Sequence, residues 1–190
     1  MGQYYMGFAT MGNKKKSYIF YSHDYDNGLK LTEHSWIGNN FINAFCSKIL
    51  NNPMYVAWIG DYAEDSPNHD GLVKSKEQFM IYAKKVWREN NNPCHDSPEI
   101  PFGNYYLVNH TKHLYINMAK YITENQFDGG WCHHPLPLLT ACGNGLGGGD
   151  YYGINENLIG SWAFDKISLE YESPKEYSSF MPHFKVKGWR

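Results

Sequence analysis

Apolar and polar positions alternate in two places where the chain then turns. Gln3 to Thr10 (QYYMGFAT) and Ser17 to Tyr21 (SYIFY) have the period of half-buried strands, and Gly12 to Lys16 lies between them as a turn. Asn104 to Asn109 (NYYLVN) and His113 to Asn117 (HLYIN) repeat the arrangement around a short polar turn. Two hairpins are therefore expected. Met54 to Ile59 (MYVAWI) and Lys166 to Glu172 (KISLEYE) predict later strands, and FKVKGW near the end predicts a closing edge strand.

The helical period appears twice. From Trp36 to Leu50, Ile37, Phe41, Phe45 and Ile49 recur every fourth residue, Ile42 and Cys46 widen the stripe, and Asn51-Asn52-Pro53 ends it. From Ser75 to Trp87, Phe79, Tyr82, Ala83, Val86 and Trp87 share one face, and Ser75 with Gln78 fits a capping box. Asp26-Asn27-Gly28 marks a turn, and the Asn- and Pro-rich stretch from Glu89 to Gly103 a loop.

Together these elements predict an α+β fold in one compact domain spanning 1–190, with an antiparallel sheet and two amphipathic helices. Gly103-Asn104-Tyr105-Tyr106 echoes Gly2-Gln3-Tyr4-Tyr5. Each half then runs from a hairpin through a glycine-containing segment to a late strand. The halves 1–88 and 103–172, joined by the loop 89–102, are thus candidate repeats forming one pseudo-symmetric sheet with the helices on one face.

His134 to Tyr171 holds the longest apolar run and the densest glycine cluster. Six glycines fall within the eleven residues GNGLGGGDYYG from Gly143 to Gly153. Glycine loses the most backbone entropy on folding, so such a cluster implies positive φ or close approach of backbone to a neighbour or ligand. Gly143, Gly145 and Gly148 match G-x-G-x-x-G, but turn-forming residues follow where a dinucleotide site needs a helix. No lysine follows as in a P-loop. The alternatives left are a loop crossing packed backbone, or a nest of backbone N–H groups for an anion. In the second, Gly145, Gly147, Gly148 and Gly149 line the ligand, and Asp150, Tyr151 and Tyr152 add side-chain contacts. Gly148 and Gly149 are expected to be backbone requirements, and Asp150 the functional candidate.

Composition narrows the partners. With 42% hydrophobic and 19% charged residues, the 190-residue chain has a globular balance. Its net charge of −2 argues against nonspecific nucleic-acid binding, which needs clustered Lys and Arg. No run is long enough to span a membrane, and the N-terminus lacks a secretory pattern. Nothing in the sequence sets an oligomeric state. Cys46, Cys94, Cys132 and Cys142 show no C-x-x-C spacing, so free thiols in a reducing cytoplasm are the expectation. Cys94-His95 with Cys132-His133 would crowd adjacent ligands around a tetrahedral zinc, so neither metal nor cofactor is expected.

Titratable residues gather at His23-Asp24-Tyr25-Asp26, at Asp61 with Glu64 and Asp65, and at His133, His134 and Asp150. None has a diagnostic catalytic spacing. Bland roles are turn bonds for Asp24 and Asp26, a loop cap for Asp61, and partly exposed loop positions for His133 and His134. Trp162 and Phe164, just before a strand, are expected in the core. Exposed aromatics beside the glycine loop, among Tyr151, Tyr152, Trp131 and Trp162, would stack a base or dock a protein.

MGQYY, SHDYDNGLKLTEHSWIGNNF, WIGDYAED, GNYYLVNHTK and HPLPLLTACGNGLGGGDYYG with LIGSWAFDKISLE resemble a family of uncharacterised proteins from bacteriophages and gut bacteria. The resemblance implies no activity. With the lack of catalytic spacing, it supports a small, cytoplasmic, phage-borne accessory protein that acts by binding. The expected target is a host protein such as a defence effector, docked through Asp61, Glu64 and Asp65, or a small signalling nucleotide at the glycine loop. The alternative is a nucleotide or phosphoester hydrolase using His23, Asp24 and Asp150.

Overall fold

The structure, a computed structural model, describes residues 2–11, 17–63, 100, 103–127, 130–143 and 149–185. The helix expected over 75–87 lies outside them, as do Glu64, Asp65, Cys94, Gly145, Gly147 and Gly148. Within them the architecture is α+β, with one eight-stranded, mostly antiparallel sheet.

The chain order is β1 (Tyr5–Thr10), β2 (Ser17–Tyr21), α1 (Leu31–His34), α2 (Asn40–Ile49), β3 (Met54–Gly60), β4 (Tyr106–Asn109), β5 (Leu114–Asn117), α3 (Met118–Asn125), α4 (Pro135–Leu139), β6 (Ala141–Cys142), β7 (Lys166–Glu170) and β8 (Ser178–Ser179). Both hairpins form, with Met6 opposite Tyr21 in the first and Tyr106 opposite Asn117 in the second. The sheet order is β2-β1-β3-β7-β4-β5-β8, and β6 lies parallel beside the end of β3. The two late strands meet at the centre, where Met54 pairs with Ile167 and Tyr55 with Lys166.

Alternation divides the side chains between two faces. One face of β1 and β3 presents Tyr5, Ala9, Met54, Val56 and Trp58 to the main core, and residues of all four helices pack on that core. The other presents Met6, Phe8, Ala57 and Ile59 to a smaller cluster with Ala63 and Phe164. Trp162 and Phe164 are both buried, as expected from sequence.

Helix α2 begins four residues later than its hydrophobic stripe suggests. Trp36 forms a bridge with His133, the Ile37 N–H bonds the Cys132 carbonyl, and Gly38 turns the chain at φ 87°. Asn39 then caps the helix, its side chain accepting from the Phe41 N–H at 2.8 Å. Ile37 therefore shares the spacing of the stripe but belongs to a strand-like pairing. Helix α4, PLPLL, carries two prolines that read as helix breakers. Both stand in the first turn, where the N–H groups have no intrahelical partner. The closing edge strand is Ser178–Ser179, paired parallel with β5. Phe184 and Lys185 are not in a strand, and the rest of FKVKGW lies outside the described residues.

Candidate functional site

The turn carrying His23 and Asp24, together with Asp61 and Asp150, comes to one end of the sheet. Tyr5 opens β1 opposite Gly60, which closes β3, and Cys142 closes β6 beside Ile59. The 3-10 turn Ser22–Tyr25 follows β2 at this same end. Asp61 is tied to the start of β1 by a reciprocal pair of bonds. The Tyr4 N–H donates to Asp61 Oδ1 at 2.9 Å, and the Asp61 N–H donates to the Tyr4 carbonyl at 2.9 Å.

Asp150 returns to this end from the glycine loop and is nine-tenths buried. Tyr5 Oη donates to its Oδ1 at 3.0 Å, and Gln3 Nε2 approaches Oδ2 at 3.5 Å. Beside it is a cavity of about 310 Å³ whose walls include Tyr5, Leu31, Tyr151, Tyr152, Glu156 and Ile159. The described lining carries two carboxylates, Asp150 and Glu156, and no lysine or arginine. Burial pushes the Asp150 carboxyl above its ordinary range; the bonds from Tyr5 and Gln3 oppose this, and nearby Asp61 adds to it. Burial also pushes the Tyr5 phenol up, with Asp150 next to it reinforcing the shift.

Local geometry fixes the loop that delivers Asp150. Gly149 has φ 88°, and its carbonyl accepts from the Thr32 N–H at 2.9 Å and the Thr32 hydroxyl at 2.8 Å. A Cβ here would overlap the Lys30 side chain. Gly149→Ala is therefore expected to destabilise by about 1 kcal/mol or more, since Lys30 can move but the left-handed backbone cannot relax. The melting temperature should fall by about 2–4 °C or more. An unchanged melting curve would show that the backbone is not held at this φ.

In the described part of the loop the Gly149 carbonyl faces Thr32, and the charged residues of the described cavity lining, Asp150 and Glu156, are both acidic. Tyr152 is 52% exposed at the rim, whereas Tyr151 is buried, its hydroxyl donating to the carbonyls of Ile154 and Lys185. Trp162 is core, and half-buried Trp131 stacks on Phe127 with ring centroids 4.5 Å apart. His23 and Asp24 pair with each other at 3.3 Å, and neither is among the described residues lining the cavity.

No family model, curated protein or solved structure matches the chain. Among the described residues, no three His, Cys, Asp or Glu side chains are grouped to hold a metal ion, and no helix is long and apolar enough to cross a membrane.

The histidines correct one expectation. His133 and His134 are buried, not partly exposed. His133 donates from Nδ1 to the Ser35 carbonyl at 3.1 Å, and burial lowers its pKa. His134 caps α4, its Nδ1 accepting from the Leu136 N–H at 3.1 Å, so Nε2 carries the proton toward Tyr105 Oη at 2.9 Å. Burial pushes the His134 pKa down to about 3. Neither is available for surface acid–base chemistry at neutral pH.

Sequence reasoning missed Gln3, Tyr5 and Glu156. The available signal was Gln3 itself, a polar residue on the same strand face as Tyr5 and at the core-facing period of β1. It also missed a cluster on β7: His110 Nε2 lies 2.7 Å from Ser168 Oγ, which donates to Glu170 at 2.8 Å. Ser168 is fully buried and its proton is committed to the carboxylate, so this is not a nucleophile primed by a histidine.

Asp150→Asn separates charge from shape. The amide oxygen still accepts from Tyr5, and the repulsion from Asp61 disappears. A carboxyl whose folded-state pKa is raised contributes stability only at low pH and loses it as pH rises through that value. At pH 7 the substitution is expected to leave the melting temperature unchanged or higher. A drop of several degrees would show that the ionised carboxylate stabilises the fold.

Proposed function

We propose that this protein acts by binding a small molecule in the cavity beside Asp150. One observation carries this reading: a nine-tenths buried carboxylate borders an aromatic-walled cavity of about 310 Å³, at the lower end of the size range of ligand pockets. Burying a carboxylate is costly unless hydrogen bonds satisfy it, so a ligand that donates to it is favoured there. The negative lining supports a ligand that puts N–H or O–H groups inward and leaves any phosphate at the rim.

Of the two targets suggested by the sequence, this supports the signalling nucleotide, held base inward and sequestered by a cytoplasmic, phage-borne accessory protein. Docking on a host defence protein through Asp61 is the competing mode of binding. Hydrolysis by His23, Asp24 and Asp150 has less support, because the first two pair with each other away from the cavity lining.

Affinity-purified protein should release a stoichiometric small molecule on denaturation, identified by mass spectrometry, and its removal should lower the melting temperature. A stoichiometric protein partner with no released ligand would favour docking. Turnover of added nucleotides would favour the hydrolase.

A further inference from the structure

Resting on that reading, we infer that the ligand enters the Asp150 cavity with a planar edge bearing two parallel N–H donors, as on a guanine base or a guanidinium group. An ionised carboxylate has about four acceptor positions. Tyr5 takes one on Oδ1 and Gln3 takes one on Oδ2; among the described residues these are the side chains that donate to it. Among the described residues, one position therefore remains on each oxygen, which is the pattern that two parallel donors satisfy together.

The surroundings agree with that edge. Glu156, the second carboxylate of the lining, holds the Gly153 N–H at 2.8 Å through Oε1, which fixes the turn and adds negative potential. The described lining places no cation against Asp150, so the ligand must bring the donors. Tyr5 and Tyr151 supply ring surface, and Leu31 and Ile159 supply apolar surface for a flat group. An adenine edge alternates donor and acceptor, so its acceptor would face a carboxylate oxygen and be repelled. Asp150 lies at the start of the loop's return, and the solvent-exposed Tyr152, two residues on, lines the same cavity, so a sugar or alkyl tail has an exit at the rim.

The test uses the intact protein and isothermal titration with guanosine, inosine, adenosine, xanthosine and agmatine. Guanosine or agmatine is expected to bind. If the ligand is a nucleoside, inosine, which lacks the exocyclic amine, should bind about 10- to 100-fold more weakly, and adenosine at least as weakly. Asp150→Asn should lose guanosine or agmatine by a similar factor while remaining folded. Xanthosine, which replaces that amine with a carbonyl, should gain affinity for Asp150→Asn, because the new amide offers it a donor. Agmatine binding with no nucleoside binding assigns the edge to a guanidinium and removes the nucleotide from the proposed function.

Equal affinity for guanosine, inosine and adenosine would overturn the two-donor edge and leave nucleoside binding standing. No binding by any of the five compounds to the wild-type protein would overturn both. The comparison of guanosine with inosine needs no variant, so it stands even if Asp150→Asn folds poorly.

Discussion

Lowering the pH from 7 to 4.5 is expected to remove about 5 kcal/mol of stability, a large share of the roughly 5–15 kcal/mol an ordinary domain holds in reserve. His34 and His134 carry most of the effect; buried His133 adds to it in the same direction, and the raised Asp150 carboxyl opposes it. His34 donates from Nδ1 to the Gly28 carbonyl at 2.9 Å and accepts from Trp58 Nε1–H at 2.9 Å, so the fold requires its neutral form. Burial pushes its pKa down to about 4 and that of His134 down to about 3. In the unfolded chain both titrate near the ordinary value of about 6.5. Above that value both states are neutral and the full stability is present. Between about 6.5 and the folded-state values the unfolded chain binds two more protons than the native one, so stability falls as pH falls. The decline levels off only below the folded values.

Urea unfolding at pH 7, 6, 5 and 4.5 measures this directly. Asn is itself a favoured helix cap, so His134→Asn should keep the bond to Leu136 and remove one titrating group. Its pH slope should then shrink by about one proton. A wild-type loss below about 1 kcal/mol by pH 4.5 would show that these rings are not held neutral.

Trp58→Ala should cost about 4–6 kcal/mol. Trp58 sits mid-strand in β3 with no exposed surface. Its ring lies 4.6 Å from that of Phe45 and 5.3 Å from that of Phe41, centroid to centroid. Gly7 on the neighbouring strand makes room for it, since a Cβ there would come within 2.9 Å of the indole. Truncation removes the largest class of core side chain and leaves His34 Nε2 without its donor. Trp58→Phe keeps most of the packing and loses only the hydrogen bond and part of the ring, so about 2 kcal/mol is expected. A loss under about 2 kcal/mol for the alanine variant would mean that the core refills the space. Both variants leave Asp150 untouched, so ligand binding under native conditions should persist wherever the protein remains folded.

The sequence by itself determined the elements whose signals are local. Both hairpins, the late strands at Met54–Gly60 and Lys166–Glu170, and the body of the Asn40–Ile49 helix follow from alternation, from helical period and from turn residues a few positions away. So does the turn at Asp26, which takes the left-handed conformation with φ 57°. The glycine cluster marked Asp150 as the candidate for the same reason: Gly149 advertises its positive φ in the sequence.

Tertiary structure decided everything that depends on which strands become neighbours. The partners of Asp150 lie 147 and 145 residues away at Gln3 and Tyr5, brought to it by the packing of the sheet's end and not by any spacing. Phe164 takes φ 64°, a conformation its sequence disfavours, between the Trp162 turn and the start of β7. His133 and His134 look like loop residues but are buried, each with one ring nitrogen held by a residue from a distant part of the chain: Ser35 for His133 Nδ1 and Tyr105 for His134 Nε2. Periodicity hinted at burial for Gln3 alone; for the other buried polar side chains a distant donor or acceptor makes burial tolerable, and only the folded sheet supplies one.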